Sequence, residues 1–174
     1  IDNINDYYDP KLKFDRLNEL GFSQVETEIF KNEVQSKKFK HLRFSRIDLV
    51  DSATLDNLFK QEQFEVVCNL AAQAGVRYSI ENPKAYINSS ITRLLNILEG
   101  CRNHKVKHLF YASSSSVYGE NKKVPCETTD NVDHPISLYA EIKKRNELVA
   151  HTYGHLYGFK TTGLRFFTVY GPWG

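Results

Sequence analysis

Cysteine is scarce in this 174-residue chain, and the three present, Cys68, Cys101 and Cys126, are far apart and odd in number. That excludes a disulfide framework and a closed zinc knuckle, and it suits a reducing compartment, so a cytoplasmic location is expected. Charge of one sign is lacking as well. Lys plus Arg number 23 and Asp plus Glu 21, a net charge of +2. A nucleic-acid partner would favour a basic stripe, and the one short cluster, Lys37, Lys38 and Lys40, reads as a solvated face. No apolar run approaches the roughly 18 residues that span a bilayer, so no membrane partner is expected. The start has no charged-then-apolar signal pattern. Repeats and low-complexity segments are absent too. The chain opens at Ile1 instead of Met and stops at Gly174 soon after an apolar strand pattern, so it reads as an excerpt of a longer protein.

Hydrophobic residues make up 41% and charged residues 25%, an ordinary balance for a domain with a real core. From Phe44 onward short apolar runs alternate with helical periods. Strands are predicted at 43–49 (RFSRIDL), 66–71 (VVCNLA, apolar on both faces as in a buried parallel strand), 108–112 (HLFYA) and 161–169 (TTGLRFFTV). Helices are predicted near 52–61, 82–103 and 137–157. The second carries an apolar stripe of Ile87, Ile91, Leu94, Leu95, Leu98 and Cys101. The third carries Leu138, Ile142, Val149, Tyr153 and Leu156, with Gly158 to end it. This alternation implies α/β architecture: a doubly wound, Rossmann-like parallel sheet covered by helices. The mostly charged stretch 11–41 reads as a weakly helical elaboration, and 119–135 as a polar loop.

In such a sheet, ligands gather beyond the carboxyl ends of the strands. Four serines, Ser113 to Ser116, follow the 108–112 strand. One helix later, Tyr139 and Lys143 are four apart, which puts phenol and ammonium on one helical face. A free tyrosine titrates near 10 and is a poor base at neutral pH, but a nearby cation favours the phenolate. The pair can therefore accept a proton from a sugar hydroxyl. Ile1-Asp2-Asn3 is an apolar-then-acidic step of the kind that binds ribose hydroxyls in dinucleotide folds. Gly75, in the small-residue run after the 66–71 strand, suits either a tight bend or close approach to a ligand. His151 and His155 are four apart but have no third ligand in view, so no metal is expected.

These residues carry a resemblance. The segments IDNINDYYD, NLAAQAGVRYSIENP, LLNILEGCR, YASSSSVYG, NVDHPISLYAEIKK, NELVAHTYGHLYG and TTGLRFFTVYGPWG, in that order, are similar to the extended short-chain dehydrogenase/reductase family, and within it to the UDP-glucuronate 4-epimerases. The resemblance implies NAD as cofactor, a UDP-sugar as substrate, and a homodimer paired through the helices near 82–103 and 137–157. It makes Tyr139 the base, Lys143 its electrostatic partner and ribose ligand, and Ser114 the hydroxyl that positions substrate. It assigns Asp2 and Asn3 to the adenosine ribose, and Asp48 and Leu49 to the adenine edge. Leu70, Ala71, Ala72 and Gln73 line the pyrophosphate and nicotinamide ribose, and Phe166 lies under the nicotinamide. By the same resemblance 1–174 is a partial NAD-binding domain. The Gly-rich turn before Asp2 and the C-terminal substrate domain are missing, so the excerpt alone is expected to be inactive. A second departure is Ser90 and Arg93, where the family shows Asn and Gly.

The implied reaction is epimerisation at C4 through a 4-keto sugar. Relatives that eliminate water or decarboxylate place acids after the catalytic hydroxyl residue, whereas this chain has Ser115 and Ser116. A 4-keto uronate is a β-keto acid that loses carbon dioxide if its carboxylate aligns with the carbonyl orbital. Ser115, Ser116 and Thr168, with Arg77, are expected to hold the carboxylate out of that alignment. The alternatives are a UDP-glucose 4-epimerase, another dehydratase or decarboxylase of the family, and a non-catalytic NAD sensor.

Overall fold

The computed structural model describes residues 1–72, 79–80 and 83–173, and of 84–89 the backbone only. It divides into two compact units, Ile1–Leu55 with Tyr170–Gly174, and Asp56–Val169.

The first unit starts with α1 (Pro10–Glu19), whose N-cap Asp9 accepts a bond from the backbone of Lys11 at 2.9 Å, with Pro10 in the first turn. A short α2 (Gln24–Thr27) leads to β1 (Glu33–Gln35), which pairs antiparallel with β2 (Arg43–Ser45). The stretch 11–41 is thus partly helix and partly strand, and it supplies Phe14, Phe22 and Val34 to a core shared with Ile4 and Phe44. The strand predicted over 43–49 is shorter than expected. Beyond Ser45 only Arg46 bridges, in parallel to Asp2. The buried residues Phe44, Ile47 and Leu49 are spaced three and two apart, so their side chains do not follow the strict alternation of a strand.

In the second unit β3 (Val66–Asn69), β4 (His108–Ser114) and β5 (Lys160–Phe166) form a parallel sheet in that order. Helix α3 (Ser52–Glu62) precedes β3, α4 (Pro83–Asn103) joins β3 to β4, and α5 (Leu138–Tyr157) joins β4 to β5. The α/β class is as expected. Strand β3 is not buried on both faces, however. Val66 is 54% exposed and Cys68 is exposed, and these alternate positions share one face of the strand, while Val67 and Asn69 on the other face are half-buried.

On α4 the buried set is Leu94, Ile97, Leu98 and Cys101, spaced three, one and three apart. Leu95, expected in the stripe, sits about 100° round from Leu94 and is 39% exposed; the side chain of Ile87 lies outside the described residues. Gly100 of α4 is where the ring of Phe59 closes in, and a Cβ there would lie 2.8 Å from it.

Helix α5 shows the larger departure. Ser137 caps it, accepting from the backbone of Ala140 at 3.1 Å, and Gly158 closes it in the left-handed region at φ 76°. Its buried residues are Ala140, Ile142, Lys143 and Ala150, while the predicted apolar residue Leu156 is 62% exposed. The buried face is turned about a quarter of the way round from the apolar stripe. Small and polar side chains face the sheet, which lets the helix lie close to β4 and β5.

Candidate active site

Strand β4 runs two residues into the serine run, so the four serines are not one loop. Ser113 and Ser114 end the strand and are 3% and 8% exposed, and Ser115 to Tyr118 turn into a 3-10 helix. The Ser114 hydroxyl starts that turn. Its oxygen accepts from the backbone N–H of Ser116, and its proton points to Ser116 Oγ, both at 3.2 Å. A serine oxygen has two lone pairs, so one remains for a substrate hydroxyl.

Lys143 is 5% exposed. Its ammonium donates to the carbonyl of Ala112 at 2.8 Å and lies 5.8 Å from the centroid of the Tyr139 ring, as the four-residue spacing requires. Burial disfavours the charged form and brings Lys143 down to about 8, from an ordinary 10.5. The site therefore holds a half-buried phenol beside a cation under strain to lose its proton, a pairing suited to proton exchange with a hydroxyl.

A cleft of the same unit is lined by Ala71, Ala72, Ser90, Arg93, Lys143 and Asn146, among others. It joins the expected cofactor residues Ala71 and Ala72 to Lys143. It also includes Ser90 and Arg93, so the departure in sequence lies within the site. Leu70 is 55% exposed beyond the end of β3, and Phe166 pairs in register with Ser114 across β4 and β5. Ser115 and Ser116 are half-buried in the 3-10 turn, and Thr168 is exposed beyond β5. Gln73, Gly75 and Arg77 lie outside the described residues.

Within the first unit, Asn3 Nδ2 donates to Asp48 Oδ2 at 2.9 Å, and the Asp2 carboxylate accepts from the backbone of Ile4 at 2.5 Å with Lys13 3.8 Å away. Leu49 is 6% exposed. Of the three polar residues assigned to the adenosine, Asn3 and Asp48 are thus bonded to each other, while Asp2 is held separately by the Ile4 backbone and Lys13.

Two residues of the site region were not anticipated, Glu147 and Arg165, and they meet Ser113 of the serine run. Ser113 donates to Glu147 Oε1 at 2.6 Å, and Arg165 grips both oxygens of Glu147 at 2.9 Å. Burial alone would raise Glu147, but the bonds from Arg165 and Ser113 hold it below the usual carboxylate range. Two signals were available. Glu147 repeats the four-residue spacing after Lys143, and Arg165 is a charge set between Leu164 and Phe166 in a strand.

The parallel sheet, the serine strand end and the Tyr139–Lys143 helix define a Rossmann-like α/β protein of short-chain dehydrogenase/reductase type. The family model "NAD dependent epimerase/dehydratase family" matches residues 14–174, and the chain belongs to that family. It is 53% identical over its whole length to protein CapI of Staphylococcus aureus, covering 47% of that protein. It is 47% identical to UDP-glucuronate 4-epimerase 3 of Arabidopsis thaliana, covering all of this chain and 37% of the relative. Among solved structures, UDP-glucose 4-epimerase of Thermotoga maritima with UDP-glucose superposes with a TM-score of 0.70 at 34% identity, over 74% of this chain and 42% of that one. The chain therefore spans about half the length of the curated relatives, or less. Among the described residues no helix is long and apolar enough to cross a membrane, and no group of three or more His, Cys, Asp or Glu is placed to hold a metal ion.

Proposed function

We propose that the protein carrying this chain is an NAD-dependent nucleotide-sugar 4-epimerase that interconverts UDP-glucuronate and UDP-galacturonate. The observation that carries the reaction type is the buried Lys143 ammonium, bonded to Ala112 and set beside the Tyr139 ring, one helix after the Ser114 hydroxyl. The choice of sugar rests on the likeness to UDP-glucuronate 4-epimerases and on Ser115 and Ser116 standing where eliminating relatives carry acids.

The donor set fits NAD in part. In the first unit, Asp2 and Asn3 offer the acceptor and donor that ribose hydroxyls require, with acidic charge that disfavours an added 2′-phosphate, and Asp48 stands at the adenine-edge position. Within the second unit, Lys143 and Tyr139 offer donors and an acceptor of the same kind to a ribose. Ala71 and Ala72 have no side chain to block a close approach along the cleft. Bound there, NAD would supply reversible hydride acceptance, leaving no net redox change. Tyr139 accepts the proton of the sugar 4-hydroxyl and returns it after the ring has turned. Lys143 stabilises the phenolate through its charge, and Ser114 holds the hydroxyl with its remaining lone pair.

Incubating the full-length protein with UDP-glucuronate and with UDP-glucose, and resolving the products, tests this reading. Conversion to UDP-galacturonate is expected; turnover of UDP-glucose alone would overturn the choice of sugar. The same chromatogram tests the hydroxyls. Ser116→Ala combined with Thr168→Val should leak a UDP-pentose by decarboxylation, roughly 30-fold above the parent, since each of the two lost hydrogen bonds is worth about 1 kcal/mol. Unchanged product ratios would remove these residues from the carboxylate's control.

A further inference from the structure

One carboxylate ties three elements of the second unit together. Glu147 of α5 accepts from Ser113 at the end of β4, and its two oxygens accept from Nε and Nη2 of Arg165 at the end of β5. Arg165 reaches further: a second arm points to the carbonyl of Thr128 at 3.4 Å, and its guanidinium lies 5.0 Å from the Tyr118 ring centroid in the 3-10 turn that carries Ser115 and Ser116. Ser113 and Arg165 are register partners, as are Ser114 and Phe166 one residue on.

Lys143 and Glu147 are one helical turn apart, and they hold Ala112 and Ser113, consecutive residues of β4. Two turns of α5 thus grip two steps of the strand. We propose that Glu147 is a positioning residue: through Ser113 and Arg165 it sets the register of α5 against β4 and β5, and with it the placement of Lys143 and Ser114. This rests on the reading of Lys143, Tyr139 and Ser114 as the catalytic group.

Energetics favour this role over plain stabilisation. A largely buried ion pair gains little over well-packed apolar residues of the same size, so its distinctive contribution is direction. Apolar contacts between helix and sheet resist sliding weakly, whereas three short bonds to one carboxylate have a single solution. A slip of one residue along β4 is about 3.3 Å, more than enough to misplace a proton-transfer group.

The test is Glu147→Gln in the full-length protein, which keeps the shape and removes the charge that Arg165 clamps. With NAD loaded, kcat per bound cofactor should fall roughly 10- to 100-fold while KM for the sugar stays within about twofold. The readout independent of turnover is the titration of Lys143, followed by NMR of 13C-labelled lysine. Its titratable neighbours in the cleft or on its helix face are Tyr139 and Glu147 on α5, Arg93 on α4 and Tyr111 on β4. Simple removal of the Glu147 charge would leave Lys143 unmoved or lower it. Loss of register frees the ammonium from Ala112 and admits water, so its titration should rise from about 8 toward 10.5. A midpoint that stays or falls overturns the proposal. Ser113→Ala, which keeps the ion pair, should move both readouts the same way by less, and serves if Glu147→Gln does not fold. A parent protein that turns over no UDP-sugar defeats the functional reading alone, and the Lys143 titration still decides this one.

Discussion

Lys143→Met will give a protein that is nearly inactive and more stable than its parent at neutral pH. Folding holds Lys143 at about 8 against 10.5 when it is solvated. That difference is a penalty on the charged form of about 3 kcal/mol. Methionine fills similar space without charge. It gives up the bond to Ala112, which is worth about 1 kcal/mol. The net gain is therefore about 2 kcal/mol, a rise in Tm of roughly 4–8 °C for a chain of this size. The pH dependence carries the sign. Between about 8 and 10.5 the unfolded chain binds more protons at this residue than the folded one, so the parent's stability climbs with pH across that window. Below 8 both states are charged and the penalty is present in full. Thermal melts of cofactor-free protein from pH 7 to 10.5 should show the climb in the parent and lose it in the variant. A variant that melts below the parent at pH 7 would mean that the ammonium is a structural anchor and not a strained functional group.

Tyr139→Phe should lower kcat by roughly 10²- to 10⁴-fold, the range for removing a positioned general base. Stability should change little, because the phenol is half-buried and the ring packs as before. NAD affinity, measured by calorimetry, should stay within a few-fold. Kinetics of the sugar turnover check the first expectation, and a kcat within tenfold of the parent would move the base elsewhere in the site. The two substitutions are informative together. If Lys143 acts chiefly by supporting the Tyr139 phenolate, the double variant should be little slower than the slower single one, since residues that act as a unit are not additive.

The alternation of short apolar runs with helical periods was enough to read the α/β class and most element positions. The long helices were the surest, because their ends are marked by local chemistry: Ser137 caps α5 and Gly158 closes it. Strand environment was harder to read. The apolar run of β3 resembles a buried strand, yet burial depends on what packs over each face, and the face of Val66 and Cys68 is exposed. The serine run showed the same difficulty on a smaller scale. The predicted strand stopped at Ala112, whereas pairing with β5 extends β4 through Ser114 and buries its last two residues.

The Tyr139–Lys143 spacing, the serines one helix earlier and the acidic step at Asp2 were determined by the residues alone, because a helix repeats every 3.6 residues and brings positions four apart together in any fold. Which side of α5 meets the sheet was decided only by the tertiary structure. Apolar periodicity pointed to Ile142, Tyr153 and Leu156; packing kept Ile142 but otherwise chose Ala140, Lys143 and Ala150, with Glu147 between them. The reason lies in what faces the helix. The carbonyl of Ala112, the hydroxyl of Ser113 and the guanidinium of Arg165 offer bonds that only polar side chains can make. Satisfying those groups turns the apolar stripe aside, and the same turn buries Lys143 and lowers it to about 8.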